Sequence, residues 1–326
     1  MDKQDLRLQN LDGLRTVLKK FRRATKPQLA TAASLSVVTV NALLKELLIR
    51  NEVLIEREAI SSGGRPAQQY CFNGNHKLAL AVYMHEKNGR DTMFVSVENL
   101  FGDTLQLDEI KPTKINSQFF VDILLPYFEQ YPQISVVVIG LPGAEVKGKL
   151  VVVDYPELKD TMFCQWLGAK LGCPVYFEND INAAVAGYAY ALGATKDEET
   201  IIGIYFPQNY PPGAGIFEQG KLYKGRDGMA GEIGYRLSDK EYDMSRGITA
   251  AAAEAVLLFV RTWNPHRIVI YHESLEKGQI LTIKNRCCEE IAADFLPEII
   301  IQNDIYEDYA RGIRRLAGVY LNKKEK

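Results

Sequence analysis

The sequence is poor in the residues that hold metals and cross-link chains. Five cysteines (Cys71, Cys164, Cys173, Cys287, Cys288) are scattered over 326 residues, and none forms a C-x-C or C-x-x-C pair. That argues against a cysteine-based zinc site and fits buried thiols in a reducing cytoplasm. The four histidines (His76, His85, His266, His272) show no H-x-x-x-H spacing. No apolar run approaches the ~20 residues that span a bilayer. Charge from residue 2 onward does not fit a secretory leader, so no membrane partner is expected.

What is present is an ordinary globular composition, 47% hydrophobic and 25% charged. The length suggests two or three domains of ~100–200 residues. The formal net charge of −2 hides an asymmetry. Residues 1–75 carry twelve Lys/Arg against seven Asp/Glu, about +5, which leaves about −7 for the remainder. A basic head on an acidic body points to nucleic acid at one end, with a solvated helix face as the alternative.

Within the head, LDGLRTVLKKF (11–21) places Leu11, Leu14, Val17, Leu18 and Phe21 on one helical face. Thr25 before Pro27 reads as a cap and first-turn proline opening a second helix, TKPQLATAA (25–33). Ser34 or Ser36 can cap a third, LSVVTVNALLKELLIRN (35–51). Two short helices joined tightly, the second opening on Ser/Thr/Asn, form a helix-turn-helix pattern. Ser36, Thr39, Asn41 and Lys45 are its candidate DNA contacts. VLIEREA (53–59), SSGGRPA (61–67) and QQYCF (68–72) read as strand, glycine-rich tip and returning strand, the wing of a winged helix. Arg65, held by Pro66 on that thin tip, suits a minor groove; a surface hairpin with an incidental Arg is the alternative.

The remainder alternates strands and helices. Residues 78–107 read as three strands with tight turns, and 117–131 as a helix. Residues 135–146 read as a buried strand ending in Gly-Leu-Pro-Gly, and 164–172 as a helix. CPVYFEND (173–180) is a strand and INAAVAGYAYALG (181–193) a helix. A second block repeats the logic with ETIIGIYF (199–206), GAGIFEQGKLYKG (213–225), a long helix (249–263) and HRIVIYH (266–272); the rest reads as mostly helical. Two such lobes leave a cleft, and polar residues gather at strand ends that face one.

S-S-G-G-R-P-A after a helix-turn-helix, then G-L-P-G, F-E-N-D-I-N-A-A, G-A-G-I…G-K-L-Y-K-G and G-M-A-G-E-I-G-Y, resembles the ROK family (repressor, open reading frame, kinase). The resemblance implies an α/β chain: a winged helix-turn-helix over 1–75 and a two-lobed ribonuclease-H-like, actin-type ATPase body. Its lobes would cover 76–185 and 186–326, with the last helix returning to the first lobe. Family members are sugar kinases or sugar-responsive transcriptional regulators.

The motifs that serve phosphoryl transfer depart from the family's. Its phosphate turn D-x-G-G-T is replaced by MHEKNGRDT (84–92), where His85, Glu86 and Lys87 stand in place of bare backbone. Its glycine-rich second cradle is FPQNYPPGAGI (206–216), which keeps Gly213 and Gly215 but gains Pro207, Pro211 and Pro212, residues with no N–H to donate. Tyr271, His272 and Glu273 stand where a glycine pair flanks adenosine. The zinc loop of the family is GEIGYRLSDKEYDMSRGIT (231–249), with Tyr235 for histidine and no cysteine. Packing, or salt bridges such as Arg246 with Asp239 or Glu241, would have to order it. Neither ATP nor zinc is therefore expected as a cofactor.

By the same resemblance Asn179, Asp180 and Glu232 match the sugar-hydroxyl contacts, Tyr235 offers a further hydroxyl, and Thr249 loosely takes a glutamate's place. The alternative has Asp180 capping the following helix and Glu232 as a solvated loop carboxylate. The expectation is a sequence-specific regulator, a repressor of carbohydrate metabolism and not an enzyme, whose degenerate kinase-like body senses a sugar or sugar derivative. A homodimer or homotetramer would read a palindromic operator. A sugar kinase with Asp180 as general base is the second reading, and a regulator answering a protein partner the third.

Overall fold

A computed structural model describes residues 3–57, 68–87, 90–153, 155–193, 199–207, 211–234 and 247–323. The chain divides into two units, one of residues up to 77 with 99–101, the other of 78–98 with 102 onward. Among the described residues no single helix is long and apolar enough to cross a membrane.

In the first unit, α1 (Lys3–Phe21) starts earlier than its apolar pattern, which Leu11, Leu14 and Leu18 carry into the core. β1 (Arg23–Thr25) ends on Thr25, the cap of α2 (Lys26–Ala33), and Gln28 Oε1 accepts from the Thr25 backbone N–H at 2.8 Å. Ser34 closes α2 in the left-handed conformation (φ 54). Ser36 therefore opens α3 (Val37–Ile49), its Oγ accepting from the Thr39 N–H at 3.0 Å. The axes of α2 and α3 turn through 107° at this break. Val40, Leu43, Leu44 and Leu47 bury the inner face of α3. β2 (Val53–Arg57) and β3 (Gln68–Phe72) pair antiparallel, and β1 joins the other edge of β3. The tip between β2 and β3, with Arg65, lies outside the described residues.

The second unit holds two five-stranded sheets with one topology. The first contains β4 (Leu78–Lys87), β5 (Arg90–Asn99), β6 (Thr104–Ile110), β7 (Ile134–Leu141) and, after a small hairpin of β8 (Gly143–Val146) and β9 (Lys149–Val153), β10 (Val175–Asn179). Its order is β6-β5-β4-β7-β10, with β4, β7 and β10 parallel. The second contains β11 (Ile201–Tyr205), β12 (Gly213–Glu218), β13 (Lys221–Leu222), β14 (Arg267–Tyr271) and β15 (Glu298–Gln302). Its order, β13-β12-β11-β14-β15, repeats that of the first.

Side chains alternate across each sheet. Leu80, Val82 and Met84 of β4 pack under α4 (Ser117–Gln130) and α5 (Phe163–Leu171). On the other side, Tyr83 meets Tyr306 and Tyr309 of α9 (Tyr306–Leu321). Across the second sheet, Ile204, Ile268 and Ile270 pack with α7 (Ile248–Trp263) and α8 (Ile280–Cys288), while α6 (Asp180–Ala191) covers β11 and β12. The helices α6 and α9 thus lie between the sheets, and α9 contacts β4 and β7 of the first.

The stretch after 272 is mostly helical, as the sequence suggests, but it also contains β15. EIIIQ offers too short an apolar run to tell strand from helix, and its identity comes from its place beside β14. β7 ends at Leu141, within the Gly-Leu-Pro-Gly turn, and the residues after that turn form the β8–β9 hairpin.

Candidate functional site

β10 delivers Glu178, Asn179 and Asp180 to the end of the first sheet, where α6 begins. Asn179 is the helix cap: its Oδ1 accepts from the Asn182 N–H at 3.1 Å. Its Nδ2 donates to the Gly143 carbonyl at 2.6 Å, tying the cap to the turn after β7. The capping role considered for Asp180 therefore belongs to Asn179. For a ligand Asn179 keeps one Nδ2 hydrogen and one Oδ1 lone pair. Asp180, the first helical residue, accepts from the Ile181 N–H at 2.7 Å.

Glu232 reaches the same place from the second lobe. Ala214 N–H donates to the Gly231 carbonyl at 2.7 Å and Gly234 N–H to the Pro212 carbonyl at 2.9 Å, so 211–214 and 231–234 run as a pinned pair. At Gly231 (φ +91) a Cβ would stand 1.9 Å from the Ala214 carbonyl oxygen, so only glycine allows this approach. Burial pushes the Asp180 carboxyl up to about 6, against the bond from Ile181. Burial and then the charge of Asp180 push Glu232 up to about 7. The alternative of a solvated loop carboxylate does not describe Glu232: it is part-buried and feels Asp180 directly. The two carboxyls form an acidic pair suited to accept hydrogen bonds from a polyol.

Tyr309 and Lys224 are not singled out by the sequence. Tyr309 is fully buried, and Asp180 is among the charges that raise its hydroxyl well above the ordinary tyrosine range, after burial itself. A Cβ at Gly140 would lie 2.6 Å from the Tyr309 hydroxyl oxygen, so the glycine of β7 makes room for it. Glu178 is buried and accepts from Lys224 Nζ at 2.8 Å, a charge pair joining β10 to the segment after β13. Helical periodicity from Tyr306 to Leu321 marks Tyr309 as a core position; only the tertiary placement of α9 brings it near Asp180. Thr249 lies in the first turn of α7. Tyr235 and the segment with Asp239, Glu241 and Arg246 lie outside the described residues. Among the described residues no cluster of three His, Cys, Asp or Glu could hold a metal ion.

On the phosphate side, β4 and β5 extend to Lys87 and Arg90, leaving two residues between them. Gly215 has a packing reason to be glycine, since a Cβ there would lie 2.8 Å from the Ile181 carbonyl oxygen of α6. Tyr271 is buried and donates its hydroxyl hydrogen to Asp308 Oδ2 at 2.9 Å, locking β14 to α9.

In the first unit, Ser36 Oγ and Thr39 Oγ1 lie 2.8 Å apart and Asn41 Oδ1 accepts from Lys26 Nζ at 2.7 Å. Lys45 is exposed one turn further along α3. Arg15 grips Glu52 through Nε and Nη2, both at 2.6 Å, and Arg7 and Arg50 share Glu46. These arginines brace the unit internally.

The second unit, with its paired mixed sheets and acidic pair between them, is an α/β body of the sugar-kinase type. The ROK family profile matches residues 87–245. It is 26% identical over 225 residues to the xylose repressor of Bacillus spizizenii, covering 66% of this chain and 56% of that one. A shorter match, 32% over 99 residues, is to the N-acetyl-D-glucosamine kinase of Vibrio atlanticus, covering 30% of this chain and 32% of the kinase. Among solved structures, a ROK family transcriptional regulator homologous to the E. coli Mlc protein superposes with TM-score 0.62 at 15% identity, covering 97% of this chain and 98% of that one. The ROK hexokinase of Thermus thermophilus gives TM-score 0.57 at 16% identity, covering 74% and 98% respectively. The chain spans less than two thirds of the length of the curated repressor it matches.

Proposed function

We propose that the chain is a sugar-responsive, DNA-binding transcriptional regulator of carbohydrate metabolism, a repressor acting in the cytoplasm. Its first unit is a winged helix-turn-helix, and its body is a kinase-like sensor. The observation that carries this reading is the pair α2 and α3, which turn through 107° across three residues, with Ser36 capping the second helix. That is the angle and turn length of a helix-turn-helix, and the three-stranded antiparallel sheet supplies the wing. The similarity to a xylose repressor supports it.

The effector is a sugar or sugar derivative held by Asp180, Glu232 and the remaining capacity of Asn179. It shifts DNA affinity by binding one arrangement of the two lobes better than the other. Two copies on a two-fold axis would read a palindromic operator. The test is a thermal-shift screen of sugars, amino sugars and their phosphates, followed by a mobility-shift assay with any hit. A sugar that raises the melting temperature of the wild type, but not of Asp180→Ala, supports the reading. A chain that shows no preference among DNA sequences would remove it.

The second reading, a sugar kinase, rests on Asp180. A carboxyl raised to about 6 lies in the range of a working general base. Turnover of ATP-Mg with a sugar, abolished by Asp180→Asn, would establish that reading instead. The prolines and packed glycines on the phosphate side speak against it.

A further inference from the structure

The outward face of α3 presents an unusual surface to solvent. Val38 is 81% exposed, Val37 50% and Ile49 87%. Val38, Ala42, Lys45 and Ile49 are all exposed and are spaced four, three and four residues apart, so they form one row along the helix. The polar side chains nearby are already engaged. Ser36 and Thr39 bond to each other, and Asn41 accepts from Lys26. What the row itself offers outward is methyl groups and one ammonium.

Resting on the helix-turn-helix reading above, we infer that this row, led by Val38, reads thymine methyl groups in the major groove, so that the operator half-site carries T·A pairs opposite the start of α3. Thymine is the base that presents an apolar group in that groove, through its C5-methyl. Guanine is read best by Arg or Lys and adenine by Asn or Gln, and Asn41, the amide at hand, is held by Lys26. The N-terminal residues of a recognition helix are the ones that meet base edges, and Val37 and Val38 are the first two of α3. Lys45, two turns on, falls where the helix leaves the bases for the phosphates. Charge selects the occupant of this apolar row. Residues 1–75 carry about +5, so a second copy of the same face is repelled and a polyanion is attracted.

The experiment is selection of duplexes from a random library by the full-length protein, followed by affinity measurements in which single thymines of the selected site are replaced by deoxyuridine. Wild type should lose about fourfold for the thymine facing Val38, the ratio expected for leaving one methyl unburied. Val38→Ala should bind the thymine and deoxyuridine duplexes alike while melting at the wild-type temperature. If selection yields no preferred sequence, the helix-turn-helix reading itself fails. A preferred sequence with no deoxyuridine effect, or one that Val38→Ala retains in full, overturns this inference alone. A Val38→Ala chain that dissociates into smaller species would assign the row to a protein interface and also overturn it.

Discussion

Gly312 on α9 faces the backbone of Ala183 on α6 with no side chain between them: a Cβ at 312 would lie 1.8 Å from the Ala183 carbonyl oxygen. Gly187 makes the reciprocal approach, where a Cβ would stand 1.9 Å from the Asp308 carbonyl oxygen. The obstacle in both cases is backbone, which cannot rotate away. Gly312→Ala should therefore destabilise the second unit by about 3 kcal/mol, the upper end of ordinary overpacking. Gly278→Ala, at a position with nothing within 4 Å, is the control and should shift the urea midpoint little.

The acidic pair predicts a pH dependence with a definite sign. The folded values of Asp180 and Glu232 are raised, from 3.8 to about 6 and from 4.5 to about 7. Their contribution to stability is complete below the ordinary carboxyl range and is lost as pH rises through 6 and 7. Asp180→Asn with Glu232→Gln should remove that loss, so the double variant melts above wild type at pH 8 and not at pH 4. For Asp180 the loss is on the order of 2–3 kcal/mol. A polyol that donates to the ionised forms should release protons on binding near pH 6.5, seen by calorimetry in buffers of different ionisation enthalpy.

Lys224 compensates a buried carboxylate. Glu178 is 2% exposed, and burial raises its carboxyl against the pull of Lys224. Lys224→Met should cost up to the ~3 kcal/mol expected when one partner of a buried pair is removed, tempered because Lys224 is 40% exposed. Adding Glu178→Gln should recover part of that loss. Denaturation of the two singles and the double gives the coupling directly.

Lys45 tests the phosphate side of the DNA face. Lys45→Ala should weaken binding evenly across sequences and lower the slope of log affinity against log salt by about 1. A change in the preferred sequence would instead make Lys45 a base reader.

Much of this was legible in the residues. Ser36 and Thr25 announce helix starts by their chemistry, and the strands of both lobes stand out as apolar runs between turn residues. β15 is hidden, because three isoleucines after Pro297 fit either period, and so is the β8–β9 hairpin. The site was legible only as far as one motif reaches. Asp180 and Glu232 carry a recognisable context, but the division of labour between Asn179 and Asp180 depends on where Gly143 sits. Tyr309 reads as a core residue of an amphipathic helix until α9 is placed beside β7. Gly215 suggested a phosphate contact, and its neighbours show a reason in the packing of β12 on α6.

The crossing of α6 and α9 bears on how the lobes can move. Two helices seated backbone against backbone cannot slide along each other without first lifting apart. Relative motion of the sheets is thereby reduced to rotation about that crossing, an axle whose bearing surface is two glycines. Asp180 sits at the near end of α6, close to the axle, where a small turn changes distances least.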